Sequence, residues 1–322
     1  MNPRIVVTRR LPDTVEEQLS SRYRATLNRD DIRMSADQLR DALCSADILL
    51  CTLGDRLTRE LLEVSGRRTR MLANFGAGVD HIDQAAARDL GLVVTNTPGV
   101  LTEDTADLAM MLILSTARRA SEGELELRRG AWTGWRPTHL LGSSVHGATL
   151  GIIGLGRIGE ALARRAHLGF GMKIRYLARA NSTRAGRPPE YAIADDTLNS
   201  LLRASDFVSL HCPSTPETYH LIDAAALAEM RPTAFLINTA RGEVVDASAL
   251  AQALNAGTIA GAGLDVYEGE PAINPALLSA PNVTLLPHVG SATIGSRTAM
   301  GMMCLENIEA FIAGREPPNQ IP

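Results

Sequence analysis

Apolar residues recur in short runs, and the segments between them carry apolar positions at helical spacing. Residues 5–8 (IVVT) read as a strand, 14–21 as a short amphipathic helix, and 35–45 as a second helix capped by Ser35. Residues 48–51 are strand-like, 58–64 helical, 71–74 strand-like, 81–90 helical up to Gly91, and 92–95 strand-like. Strands alternating with helices of about ten residues predict parallel βαβ units with helices on both faces. Thr97-Pro98-Gly99 interrupts the series. A helix from Glu103 to about Ala120 follows, rich in Ala, Leu and Met and read as largely buried, with Met110 and Met111 in the core. A polar stretch holding Trp132, Trp135 and Pro137 leads to a second series. This begins with TLGIIG at Thr149, a helix over 157–169 and KIRYLA, and continues with a helix near 197–204. FVSLHCP, FLINTA, GAGLDVY and VTLLPH complete its strands, and a helix over 294–313 ends at Gly314. The predicted fold is α/β, with two Rossmann-like or flavodoxin-like domains built on parallel sheets. Residues 1–99 and 291–322 form one domain from both chain ends, and 100–290 form the other.

Composition narrows the chemistry. A chain of 322 residues, 45% hydrophobic, has length for two domains and enough apolar surface to bury cores without staples. With 32 basic and 36 acidic residues its formal charge is −4, and no basic block marks it for nucleic acid. No apolar stretch approaches the ~20 residues that span a bilayer, and MNPRIVVTRR has no signal-like apolar run. Cys44, Cys51, Cys212 and Cys304 are scattered, so neither zinc nor a disulfide framework is expected. His81, His146, His167 and His220 lack metal-ligand spacing and read as structural. Asp80 and Asp83 read as caps of the following helix. Lys173 is the sole lysine. It follows no GxxxxGK[ST], which counts against Schiff-base and P-loop chemistry. These features predict a cytoplasmic enzyme.

Gly154, Gly156 and Gly159 form GxGxxG, a motif that means little alone. Here an apolar strand precedes it, and a helix with Ile158, Leu162 and Ala166 on one face follows. In that context the first glycine serves a tight turn, the second lets the backbone approach a pyrophosphate, and the third lets helix pack on strand. The amides of Arg157, Ile158 and Gly159 then face the phosphates. An acidic residue about 20 positions on would bind the ribose and select NAD. Ala178 stands 19 residues past Gly159, followed by Arg179, Asn181, Ser182, Thr183 and Arg184. Guanidiniums and small hydroxyls suit a 2′-phosphate. NADP(H) is therefore the expected cofactor, with NAD(H) possible.

Three further segments place polar residues at carboxyl ends of strands, where α/β sheets bind ligands. They are Arg241 in INTARGEVVD, Asp265 and Glu270 in GLDVYEGEP, and His288 in LLPHVGSAT. An arginine, a carboxylate and a histidine suffice to reduce a 2-keto acid. The arginine holds the substrate carboxylate, the histidine protonates the carbonyl oxygen as hydride arrives, and the carboxylate pairs with the imidazolium.

The stretches NFGAGVD (74–80), NTPG (96–99), the glycine loop, NTARG (238–242), DVYEGEP (265–271) and PHVGSAT (287–293) together resemble the D-2-hydroxyacid dehydrogenase family over essentially the whole chain. The resemblance implies that Arg241, Glu270 and His288 are catalytic, with Glu270 rather than Glu268 as the carboxylate. It implies that amides around Ala77 and Gly78 bind the substrate carboxylate beside Arg241. It implies Asp265, Thr105, Thr239, Ala240 and Gly290 on the nicotinamide and phosphate side, and His211, Cys212 and Pro213 on the adenosine side. It further implies domain closure and a homodimer formed through the cofactor domains. Within the family the chain is most similar to glyoxylate/hydroxypyruvate reductases, through the run from Trp132 to Pro137, the Ala178-Arg179 pair and the compact length. Some members carry a bulky apolar residue where His139 stands, on a loop thought to reach the partner's active site. A histidine there would admit or hydrogen-bond a longer polyol tail. Arg297 is a further pocket candidate or a structural ion pair. Two alternatives stay open: an NAD-dependent D-2-hydroxyacid or D-3-phosphoglycerate dehydrogenase, and a nucleotide-sensing binding protein of the same fold.

Overall fold

The structure, a computed structural model, describes residues 3–177 and 188–322. The chain divides into two compact units, Met1–Leu101 with Ser291–Pro322, and Thr102–Gly290.

The first unit opens with β1 (Arg4–Val7), α1 (Asp13–Arg22), β2 (Arg24–Thr26), α2 (Ala36–Ser45) and β3 (Ile48–Thr52). It continues with α3 (Arg59–Leu62), β4 (Met71–Phe75), α4 (Gln84–Asp89) and β5 (Val93–Thr95). All five strands run parallel in the order β2-β1-β3-β4-β5, the flavodoxin-like order. Local signals set the helix starts. Ser35 and Gln38 close a reciprocal capping box on α2, and the Thr58 and Asp83 side chains accept the Leu61 and Ala86 amides. Asp83 is the N-cap of α4, so that helix begins at Gln84, later than the expected residue 81. The C-terminal helix, Ile294–Ile312, packs on β4 and α1. A Cβ at its Gly301 would lie 2.4 Å from Val15 Cγ2, so glycine permits the close helix approach.

The second unit comprises α5 (Thr102–Ala117), α6 (Ala120–Arg128), β6 (Thr149–Ile153), α7 (Arg157–Phe170), β7 (Lys173–Leu177), β8 (Ala192–Ala194) and α8 (Leu198–Ala204). Then come β9 (Phe207–Leu210), α9 (Ala224–Glu229), β10 (Phe235–Asn238), α10 (Ala247–Ala256), β11 (Gly261–Leu264), α11 (Pro275–Leu278) and β12 (Val283–Leu285). The seven strands are parallel in the order β12-β11-β10-β9-β6-β7-β8. The chain reverses direction across the sheet between β6 and β9, where such folds form a crevice. One core holds Leu112, Ile113, Leu162 and Ile152 beneath α5 and α7. The other holds Leu201, Leu227, Leu250 and Leu236 beneath α8–α10.

Several expectations need correction. The helix expected to run to residue 120 ends at Ala117, because Arg119 takes a left-handed backbone (φ 51°) that restarts the chain as α6. Met110 is buried, but Met111 is 39% exposed and not a core residue. β2 and β8 are three-residue strands without an apolar run, formed by pairing to β1 and β7. α10 was not expected; the Asp246 side chain caps its start and left-handed Gly257 ends it.

Candidate active site

The glycine loop shows three different uses of glycine. Gly154 has φ +95°, and a Cβ there would meet the backbone of His211 and Cys212 at 2.8 Å. A Cβ on Gly159 would lie 2.5 Å from the Gly154 carbonyl, so the third glycine seats α7 against β6. Over Gly156 a Cβ would meet nothing within 4 Å, so this backbone is open to a ligand at the head of a 14-residue helix. That pattern fits a dinucleotide pyrophosphate. Beside it, His211 Nε2 lies 2.9 Å from Ser209 Oγ, and burial pushes its imidazole down to about 4, so it is neutral at pH 7. Arg179, Asn181, Ser182, Thr183 and Arg184 lie outside the described residues.

Arg241 follows β10 on a loop shaped by Asn238. The Asn238 carboxamide accepts the Ala240 amide at 3.0 Å and donates to the Arg241 carbonyl at 2.8 Å. Gly242 comes next. A Cβ there would overlap the Tyr267 carbonyl carbon at 1.8 Å and the Glu268 nitrogen at 2.1 Å. Only glycine lets the Arg241 loop lie flush on the loop that bears Glu270. Thr239 is 9% exposed, and its Oγ1 has no partner among the described residues. It remains able to bond a cofactor.

Glu270 and His288 meet at the ends of two neighbouring strands. His288 Nδ1 lies 2.8 Å from Glu270 Oε2, and the Tyr267 amide donates to Glu270 Oε1 at 2.8 Å. The two side chains are 33% and 34% exposed. Desolvation pushes the Glu270 carboxyl up, but the His288 bond and charge, the Tyr267 amide and the Arg241 charge outweigh it. They hold the group below the ordinary glutamate range. An ionised carboxylate only accepts, so the shared proton sits on Nδ1, and Nε2 is left to exchange a proton with a ligand.

Asp265 shapes the same loop. It is 1% exposed, and its two carboxylate oxygens accept the Val289 and Gly290 amides at 2.7 and 2.8 Å. Its carbonyl accepts the His288 amide at 2.8 Å. These bonds hold His288 in a left-handed backbone (φ 54°) that a non-glycine residue adopts only under restraint. Burial pushes the Asp265 carboxyl up, against the amides of Val289 and Gly290. Thr105 Oγ1 donates to the Gly290 carbonyl at 3.1 Å, closing the loop on α5. Glu268 instead accepts from the Tyr219 hydroxyl at 3.2 Å and lies 3.0 Å from His220 Nε2, so it faces away from His288's proton chemistry.

In the first unit, β4 ends in the Asn74–Val79 turn. Asn74 Nδ2 donates to the Gly76 and Gly78 carbonyls, and Asn96 Nδ2 donates to the Ala77 carbonyl. His139 is engaged within its own chain, its Nε2 2.7 Å from Glu126 Oε2 on α6. Arg297 Nε donates to the Ser291 carbonyl at 3.2 Å. The structuring roles of Asn238, Gly242 and Tyr267 went unassigned in the sequence, although all three stand inside the motifs quoted for the site.

The D-isomer specific 2-hydroxyacid dehydrogenase, NAD binding domain, matches residues 110–290. The chain is 43% identical to a glyoxylate reductase of Thermococcus litoralis, covering 100% of this chain and 97% of that protein. It is 37% identical to a glycerate dehydrogenase of Hyphomicrobium methylovorum, covering 97% of each. Among solved structures it resembles an NADPH-dependent glyoxylate/hydroxypyruvate reductase from Sinorhizobium meliloti in complex with NADP and malonate. The TM-score there is 0.87 at 37% identity, covering 100% and 97% of the two chains. A glycine loop made for a dinucleotide, a histidine–carboxylate pair at the strand ends and likeness across the full length agree: the chain belongs to the D-isomer specific 2-hydroxyacid dehydrogenases and is an NAD(P)-dependent oxidoreductase.

Proposed function

We propose that the protein reduces glyoxylate, hydroxypyruvate and related 2-keto acids to D-2-hydroxy acids with NADPH. The observation that carries this reading is the 2.8 Å contact of His288 Nδ1 with Glu270 Oε2, on which the Arg241 charge also acts. When bound, the dinucleotide would supply a hydride to C2 of the keto acid. His288 Nε2 gives its proton to the carbonyl oxygen, and Glu270 holds the resulting ring in place and in its tautomer. Arg241 and the amides of Ala77 and Gly78 take the substrate carboxylate. The amides of Arg157, Ile158 and Gly159 hold the pyrophosphate. Thr239, Ala240, Asp265, Thr105 and Gly290 serve the nicotinamide side, and His211, Cys212 and Pro213 the adenosine side. The preference for NADPH rests on Ala178 standing where an acidic residue would select NAD, with Arg179, Asn181, Ser182 and Thr183 following it, and the Sinorhizobium relative is NADPH-dependent.

We further propose a cytoplasmic homodimer. None of the four cysteines, all among the described residues, is in a disulfide, which suits a reducing compartment. Leu125, Leu127, Trp132, Trp135 and Leu141 are all at least 44% exposed on the second unit, with Trp135 at 81%, an apolar surface suited to a second copy. No described helix is long and apolar enough to cross a membrane.

The deciding experiment is steady-state reduction of glyoxylate, hydroxypyruvate, pyruvate and 2-keto-gluconate with NADPH and NADH in parallel. Turnover of the first two with NADPH preferred is expected. NADH preference would replace the reading with an NAD-dependent dehydrogenase, in line with the glycerate dehydrogenase relative. Turnover of none would overturn the substrate class proposed here. Good turnover of 2-keto-gluconate would make His139 the next residue to substitute.

A further inference from the structure

We propose that Asn74 and Asn96 are positioning residues for the substrate carboxylate, and that the C-terminal tail buttresses them. The inference rests on the reading that the amides of Ala77 and Gly78 take that carboxylate. In a trans peptide the N–H of one residue points opposite to the carbonyl of the residue before it. Holding the carbonyls of residues 76–78 therefore aims the amides of residues 77–79. Asn74 Nδ2 holds the Gly76 carbonyl at 3.1 Å and the Gly78 carbonyl at 2.8 Å, and Asn96 Nδ2 holds the Ala77 carbonyl at 2.7 Å. The Thr97 amide gives the Gly76 carbonyl a second donor at 2.9 Å. Three consecutive carbonyls are thus tied back by one side chain from β4 and one from the residue that follows β5, and the amides of Ala77, Gly78 and Val79 are turned away from those asparagines.

The orientation of the Asn74 carboxamide is set by chemistry. Asn74 is 0% exposed, and its Oδ1 has no partner among the described residues. Turning the group over would still leave an unpaired atom and would set oxygen against two carbonyl oxygens. A buried amide left half-unsatisfied is costly, and here it buys the orientation of two peptides. Gly76 completes the turn, because a Cβ there would lie 2.8 Å from Leu53 Cδ2 and 3.3 Å from Asn74 Nδ2.

Asn96 is fixed from behind. Its amide donates to the Asn319 carbonyl at 3.1 Å, and its carbonyl accepts from Asn307 Nδ2 at 3.4 Å. Asn307 is 0% exposed, and its Oδ1 accepts the Asn319 amide at 3.1 Å. The tail lies along the β5 edge, with Thr95 bridged antiparallel to Gln320 and the Ile321 amide donating to the Val94 carbonyl at 2.8 Å. Residues more than 200 positions apart in sequence therefore set one peptide.

The test is N96A, chosen because Asn96 is only half-buried. It is assayed with NADPH on glyoxylate and on its uncharged methyl ester, with NADPH Kd and thermal midpoint measured alongside. The expected result is a KM for the acid raised about tenfold, the size of one lost hydrogen bond to a charged group. The ester's kcat/KM and the NADPH Kd are expected to stay unchanged. A chain ending at Pro318 loses the carbonyl that accepts the Asn96 amide and is expected to move the acid's KM the same way, which keeps the proposal testable should N96A fail to fold. Equal losses on acid and ester, or an unaltered KM for the acid in whichever variant folds, would overturn the asparagine assignment. A wild-type protein indifferent between acid and ester would instead overturn the carboxylate reading beneath it, and the proposal with it.

Discussion

At the scale of single residues, proton chemistry converges on the Glu270–His288 pair, and both partners are open enough for a ligand to reach them. H288N retains a side-chain nitrogen but cannot deliver a proton, so kcat is expected to fall about 10²- to 10⁴-fold with NADPH binding retained. A variant with near-full turnover would remove His288 from the mechanism. R241A should likewise lose most activity on keto acids and keep its NADPH Kd, measured by nucleotide fluorescence. The pH dependence follows from Glu270, whose folded pKa lies below its ordinary value. A carboxyl depressed on folding contributes stability that is full above its unfolded pKa and is lost as pH falls through the folded one. Urea midpoints from neutral to acid pH should therefore fall less steeply in E270Q than in the wild type, and parallel curves would contradict the shift.

At the scale of elements, glycines let the loop after β6 touch the backbone after β9, and the loop after β10 touch the backbone after β11. The two critical glycines should behave oppositely. G242A forces a Cβ into the Tyr267–Glu268 peptide and should lower stability by about 1–3 kcal/mol or more, with activity falling alongside. G156A enters open space at a negative φ and should leave the melting temperature near wild type, yet raise the NADPH Kd by closing the approach to the helix head. A G156A protein that binds NADPH as the wild type does would remove the glycine loop from cofactor binding. D265N sets an amide NH₂ against the Val289 or Gly290 amide, so the loop must shift. Misplacing His288 by about 1 Å is expected to cost about 10²-fold in kcat.

At the scale of the whole molecule, cofactor choice and assembly are the properties to measure. R179A should weaken NADPH while sparing NADH, and equal losses would refute a 2′-phosphate contact. W135D should convert the proposed dimer to monomer by light scattering, and an unchanged mass would move the interface elsewhere. The alternation of apolar runs with helical stretches was enough to read two parallel α/β sheets, because burial on both faces imprints itself on each strand. The glycine spacing and the strand-end positions of Arg241, Glu270 and His288 were legible for a similar reason: these are one-residue requirements of backbone and charge. Short edge strands such as Arg24–Thr26 left no such imprint, since they form only where a neighbour offers its edge. Nor could spacing show that Arg119 divides a helix, that Met111 faces out, or that His139 is spent on Glu126. The sequence by itself determined the class of fold and the kinds of chemical group, because those depend on composition within a few residues of chain. Only the tertiary structure decided which oxygen meets which nitrogen elsewhere, such as Glu126 with His139 or Asn96 with Asn307. Those pairings depend on distances across the chain that no local pattern records.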